Sequence, residues 1–250
     1  LEVILLEVPE VFKMLQPHIE KILKVPDLSK ANVSISCKTL TPEEAIGSPG
    51  RSDFPLQKGK EKLMQAVIDG FIGQAFTDMP GNYEGTLHDA LHLPPVNNYN
   101  RAVIIATLNA LCRKLGKVAN TVHCKDAQPG ECSQKLIETI SSEYGKPRIA
   151  VIGLQPAMVE KLAQHFEIRV FDLDPENIGQ EKYGVTIENG ECDLSAVEKW
   201  CDLFLATGST VVNGSIDPFL KVKKPILFYG TTVAALAELL SLKRFCPVSS

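Results

Sequence analysis

The chain is short of aromatic residues, at 6% of 250 with a single tryptophan, and it has no long apolar run. No stretch approaches the roughly 18 residues needed to cross a bilayer, so no membrane span is expected. Positive charge is not in excess either. A formal net charge of −4 argues against a general nucleic-acid binder, which needs a basic face to meet phosphates. The amino end, Leu1 to Glu7, carries acids and no basic flank, unlike a secretory signal. A cytoplasmic location is the expectation.

Several chemical fingerprints are missing. Seven cysteines stand at 37, 112, 124, 132, 192, 201 and 246, with no Cys-x-x-Cys pair. That excludes a zinc ribbon or a thioredoxin-like redox pair, and reduced thiols are expected, Cys112 among them as a core residue. There is no G-x-G-x-x-G run, no nucleophile elbow and no Ser-His-Asp order, so hydrolysis by a triad has little support.

What is present is a second half that alternates strand and helix patterns. Ile149 to Gly153, Ile168 to Asp172, Leu203 to Ala206 and Ile226 to Gly230 read as near-continuous apolar strands. Helical spacing follows at Pro156 to Phe166, Leu194 to Trp200, Ile216 to Val222 and Thr231 to Leu240, with Thr231 as the cap of the last. This alternation predicts a parallel sheet covered by helices, a Rossmann-like α/β domain over 121–250. The first half differs. Val33 to Lys38 alternates with period two, and Leu63 to Ile68 and Phe71 to Phe76 flank Asp69-Gly70, a hairpin signal. Helices are predicted over Thr86 to His92 and Asn98 to Leu115, giving a small α+β domain over 1–120. Gln128-Pro129-Gly130 is expected to break the connector before a helix from Cys132 to Tyr144.

The strongest site signal is Thr207-Gly208-Ser209-Thr210, running on through Asn213, Gly214 and Asp217 directly after an apolar strand. Backbone N–H groups and hydroxyls crowd there, at the carboxyl end of a buried strand. Gly230-Thr231-Thr232 repeats the arrangement on the next strand, and two adjacent helix amino ends would favour an anion. The plainer alternative is ordinary turn and cap chemistry. Gly153 and Pro156 open the first helix of this half, and Asp172 ends its second strand, where a ribose-binding acid sits in nucleotide and methyl-donor enzymes. The plainer alternative there is a solvated turn before Pro175.

Metal donors are scattered. His88 and His92 share a helix face, but a structural pair is the better reading because no catalytic Glu lies between them. His123 and Cys124, with Cys132 beyond, offer soft ligands in the connector. In the first half, Gln74, Thr77 and Asp78 interrupt an apolar strand that ends in a Pro-Gly turn. Asp78 is the candidate catalytic or metal-binding carboxylate.

Together, Gly73 to Asp78, Gly153-x-x-Pro156-Ala157, Asp172 and the Thr207 to Asp217 motif resemble the heavy-metal chelatase family. The resemblance covers nearly the whole chain. It implies an enolase-amino-terminal-like domain followed by a Rossmann-like domain, with a site in the cleft between them. Tyr229-Gly230-Thr231-Thr232 departs from the Gly-Pro-type turn of other members. Three readings follow. The first is binding of a small anionic or metal-containing ligand, with a divalent or heavy metal ion as the cofactor class. The second is a transferase-like enzyme dependent on adenosylmethionine or a nucleotide. The third is a non-catalytic interaction module, which predicts no cleft. A homodimer through the apolar Asn98 to Leu115 helix is compatible with the pattern, as is burial of that helix in a core.

Overall fold

A computed structural model describes residues 8–25, 28 and 34–250. The amino-end reading at Leu1 to Glu7 and the first residue of the Val33 strand lie outside the described residues. The architecture is mixed α/β with two sheets, one antiparallel and one largely parallel. No helix among the described residues is long and apolar enough to cross a membrane.

The antiparallel sheet has four strands, β1 (Ser34–Thr39), β2 (Lys62–Ile68), β3 (Phe71–Thr77) and β4 (Tyr83–Thr86), in the order β3-β2-β1-β4. Asp69 and Gly70 join β2 to β3, and both have positive φ, at 49° and 83°. A type I′ hairpin needs two such residues, which is why Asp-Gly is a hairpin signal. The parallel sheet is built from β5 (Ile149–Ile152), β6 (Ile168–Asp172), β7 (Glu181–Lys182), β8 (Val185–Asn189), β9 (Leu203–Thr207), β10 (Ile226–Tyr229) and β11 (Arg244–Phe245). Its order is β11-β10-β9-β5-β6-β8-β7, with only β7 antiparallel to its neighbour. After β5 the chain builds outward through β6 and β8, then returns to β5's other side for β9. The switch point lies between β5 and β9, and ligands in such sheets bind outside the carboxyl ends of the strands there.

Between the sheets lies the long helix α4 (Asn98–Lys114), which follows α1 (Glu10–Leu23), α2 (Pro42–Ile46) and α3 (Leu87–Leu91). Every residue of α4 from Arg101 to Cys112 is buried. Its apolar face is therefore core, leaving no exposed stripe for a partner subunit. β3 approaches α4 so closely that a Cβ on Gly73 would stand 2.1 Å from the Ala110 backbone nitrogen. One apolar cluster runs from Val11, Met64 and Ala75 through Leu108 to Phe204, Phe228 and Leu236. The core thus continues across both sheets.

Several local expectations are corrected. Gln128-Pro129-Gly130 does not break the chain; it opens the helix α5 (Gln128–Tyr144). Proline in the first turn lacks only an N–H that would have had no partner. The stretch after Asp172, irregular by sequence, contains β7 and β8. Ile216 to Val222 yields only a 3₁₀ turn at Phe219–Lys221. The last helix starts at Ala234, with Val233 and not Thr231 as the capping residue. Asn109, buried in α4, accepts the Ala235 N–H at 2.8 Å in its place. Its amide also donates to the carbonyls of Gln74, Thr231 and Thr232.

Candidate functional site

A cavity of about 970 Å³ opens at the carboxyl ends of β5, β6, β9 and β10, roofed by residues 46–61 and 76–78 of the first half. Its size suits a drug-sized ligand. Of the residues singled out by sequence, Thr77, Asp78, His123, Cys124, Gly153 and Asp172 line it. So do Thr207, Gly208, Ser209, Thr210, Asn213, Gly214, Gly230 and Thr232. Gln74, Pro156, Thr231 and Asp217 do not.

The Thr207 to Gly214 turn forms wall, with most of its polar groups already engaged. Ser209 N–H donates to the Thr207 hydroxyl, and the Thr210 hydroxyl donates to the Thr207 carbonyl. Asn213 Oδ1 accepts from both the N–H and the hydroxyl of Ser215. The helix that follows is only Thr210–Asn213, and no side chain caps it. Two helices of four and six residues carry too little aligned dipole to make the anion site expected from the sequence. Gly153 has φ +90°, and a Cβ there would meet Thr207 Cγ2 at 2.7 Å, so glycine keeps β5 and β9 close at the switch point. Thr232 holds the two halves together, its hydroxyl accepting the Phe76 N–H at 3.1 Å.

The remaining expected residues have structural partners. Asp217 accepts the Glu10 and Val11 N–H groups at 2.6 and 2.9 Å, at the start of α1. Gln74 is buried between Gln65 and the His123 N–H. Pro156 begins the helix Pro156–His165, whose cap is Gln155. Asp172 accepts the N–H groups of Leu154 and Asp174 and the Asn177 amide, so both its oxygens are bonded. His88 and His92 stack at 4.0 Å, and both ring nitrogens of His92 are engaged, by Glu20 and the His88 carbonyl.

Glu61 was not singled out by sequence, where it sits in the charged run Lys58-Gly59-Lys60-Glu61-Lys62. The β2–β3 register pairs Lys62 with Thr77, which puts Glu61 and Asp78 opposite each other one step past the ladder. Glu61 lines the cavity, and among the described residues no hydrogen bond supports its carboxylate. Burial, then the nearby charges of Asp172 and Asp78, push its carboxyl up to about 7. Asp78, exposed at the rim, is held by the Asn98 amide at 2.6 Å. Asp174, Glu176 and Glu191 add further acids. Against these six carboxylates the lining has one ammonium, Lys60, which is paired with Asp174 at 2.5 Å and Glu176 at 2.7 Å. That pair, with Arg51–Glu160 and the Tyr183–Asp53 hydrogen bond, ties the roof to the parallel-sheet half.

The opposite end of the cavity is soft. His123 packs edge-on against Phe76, its Nδ1 is buried without a partner, and burial pulls its pKa down to about 4. Cys124, Cys132 and Cys246 line the same end, and all three are free thiols. Among the described residues, no three His, Cys, Asp or Glu side chains converge in metal-holding geometry. A ready-made tetrahedral or octahedral centre is therefore not present among them, while sites that need two donors remain open to the donor set.

A family model described as "DUF364: Putative heavy-metal chelation" matches residues 135–245. No curated protein matches the chain. Among solved structures, a protein of unknown function from the DUF364 family of Pyrococcus horikoshii is similar, at 15% identity over 89% of this chain and 79% of that one, with a TM-score of 0.52. At that identity the likeness speaks to the fold. A DUF364 protein of unknown function from Desulfitobacterium hafniense DCB-2 shows 14% identity over 72% of each chain, with a TM-score of 0.46. Over residues 135–245, somewhat less than half of its length, the chain is thus similar to the DUF364 family.

Proposed function

We propose that the cavity binds a metal ion or a small metal-bearing cation, consistent with the chelation role for which the family is named. One observation carries this reading. Glu61 places an unsupported carboxyl inside the cavity beside Asp78 and Asp172, and the single lysine of the lining is already paired. Such a wall repels anions and lowers the energy of a bound cation. The anionic form of the expected ligand loses support, and the cavity itself argues against an interaction module that needs no cleft. At Asp172 the nucleoside reading meets a carboxylate that already accepts three hydrogen bonds within the fold. On this reading residues 1–120 act as an enolase-amino-terminal-like roof and residues 121–250 as a Rossmann-like floor, with the ligand at the switch point.

The test is a thermal-shift and metal-content measurement on protein purified without a metal-binding tag. Divalent and soft metal ions are expected to stabilise the wild type and to lose part of that effect in Glu61→Gln and Asp78→Asn. Stabilisation by nucleotides alone, with no response to any metal, overturns the reading.

A further inference from the structure

Three candidates stand out beyond the acidic wall. In the smaller hollow between Asp53, Lys58, Lys182 and Tyr183, Asp53 is held by Arg51 and the Tyr183 hydroxyl and Lys182 by the Asn177 amide. The buried guanidinium of Arg101 donates to Val212, Pro95 and Asn98 and serves the packing of α4. The thiol end of the cavity is different, because it gathers three free thiols and a buried imidazole nitrogen that has no hydrogen-bond partner.

Cys124 lies in the connector just past Val122, which exchanges backbone hydrogen bonds with Ser250. Cys132 sits in the first turns of α5, almost fully buried. Cys246 follows β11, with its sulfur 2.9 Å from the Ser249 hydroxyl. Two regions distant in sequence, 123–132 and the stretch around Cys246, thus bring three thiols to one wall, and His123, next to Cys124, adds an imidazole nitrogen with no partner. An unpaired buried nitrogen costs free energy unless something occupies it, which sets this cluster apart from a chance gathering of core cysteines.

We propose that Cys124, Cys132, Cys246 and His123 form a subsite for a soft monovalent d¹⁰ ion, Cu(I) or Ag(I), held by two donors at a time. The inference rests on the cavity being a metal-binding site and names the class of metal. Thiolate sulfur selects soft ions over hard ones. Two thiols suffice for the linear arrangement that Cu(I) and Ag(I) accept, whereas structural zinc asks for four donors.

Binding is a proton exchange without redox. Two S–H bonds break, two metal–sulfur bonds form, and two protons leave to solvent; the pair Cys–His instead releases one. Burial holds Cys124 and Cys132 at about 12, with the neighbouring thiols adding to the rise, so these protons are present before the ion arrives.

The experiment uses the full, reduced chain under anaerobic conditions, with Cu(I) or Ag(I) supplied against a competing chelator. Metal content and cysteine alkylation, mapped by mass spectrometry, are read together. About one ion per chain is expected, with Cys124 and Cys246 protected from alkylation while exposed Cys192 still reacts. The double variant Cys124→Ser/Cys246→Ser changes two half-buried positions and is expected to lose most of the uptake. If it refolds poorly, the wild-type protection pattern decides alone, and unprotected Cys124 and Cys246 overturn the proposal. Uptake that survives in the double variant but fails in Glu61→Gln and Asp78→Asn sinks the thiol subsite and leaves the cavity reading intact. No uptake of any metal by the wild type sinks both.

Discussion

Asp217 caps a helix that begins 207 residues earlier, its Oδ2 lying 2.6 Å from the Glu10 nitrogen. Its Oδ1 takes the Val11 N–H, so the carboxylate serves two of the four donors that a helix start leaves unpaired. Asp217→Ala is expected to cost about 1–2 kcal/mol of stability in urea unfolding. Metal uptake should be unchanged. A loss of uptake in a well-folded variant would return Asp217 to the binding site.

Asn109 carries a larger share of the packing between the halves. Its amide serves three carbonyls and its oxygen takes the Ala235 N–H, all within the core. Asn109→Leu leaves those groups buried and unpaired. A loss on the order of 3 kcal/mol is expected, since one unsatisfied buried group alone costs about 1–3 kcal/mol. Asn109→Asp, which keeps only the acceptor, should recover little. Chemical denaturation followed by tryptophan fluorescence reads both.

Gly73→Ala is a test of the contact between β3 and α4. The added methyl would stand 2.1 Å from the Ala110 nitrogen and 2.3 Å from the Ala106 carbonyl oxygen, both backbone atoms that cannot rotate away. The helix must shift outward, costing about 3 kcal/mol or more. Gly70→Ala, in open space but at φ +83°, should cost less, on the order of 1 kcal/mol.

Glu61 and His123 bind protons with opposite linkage. The folded state holds the Glu61 proton up to about 7 against an ordinary 4.5, so its contribution is present below 4.5 and is lost as pH rises through 7. His123 is held down to about 4 against 6.5, so its contribution is present above 6.5 and is lost as pH falls through 4. Between 4.5 and 6.5 the two slopes offset each other. Relative to wild type, Glu61→Gln should therefore gain stability as pH rises from 4.5 to 7. His123→Gln should become relatively more stable as pH falls from 6.5 to 4. Parallel pH profiles for wild type and variants would show that neither group is perturbed as described.

The βα alternation was legible because β5, β9 and β10 are buried on both faces and read as apolar runs, and Asp69-Gly70 marks its turn by backbone conformation alone. The elements missed were set from a distance. Helix α1 is fixed by Asp217, β7 is a two-residue edge strand, and β8 beside it shows little apolar pattern. Thr231 looks like a cap because its local sequence fits one, yet the donor is served by Asn109 from another helix. Glu61 hides in a lysine-rich run that reads as solvated surface, and only the β2–β3 register and the arrival of Asp172 place it in the cavity. Cys246 likewise joins Cys124 through tertiary pairing that no local spacing announces.

The salt link from Lys60 to Asp174 and Glu176 bears on how anything reaches the interior. Because the core runs unbroken through α4, the two sheets have no free seam along which to part, and traffic must pass at the roof's edge. Lys60, with the Arg51–Glu160 pair and the Tyr183–Asp53 hydrogen bond, fastens that edge to the parallel-sheet half. Dissolved salt weakens such exposed pairs by screening. Residence time should then shorten as ionic strength rises, and a bound cation should also be held less tightly as the acidic wall is screened.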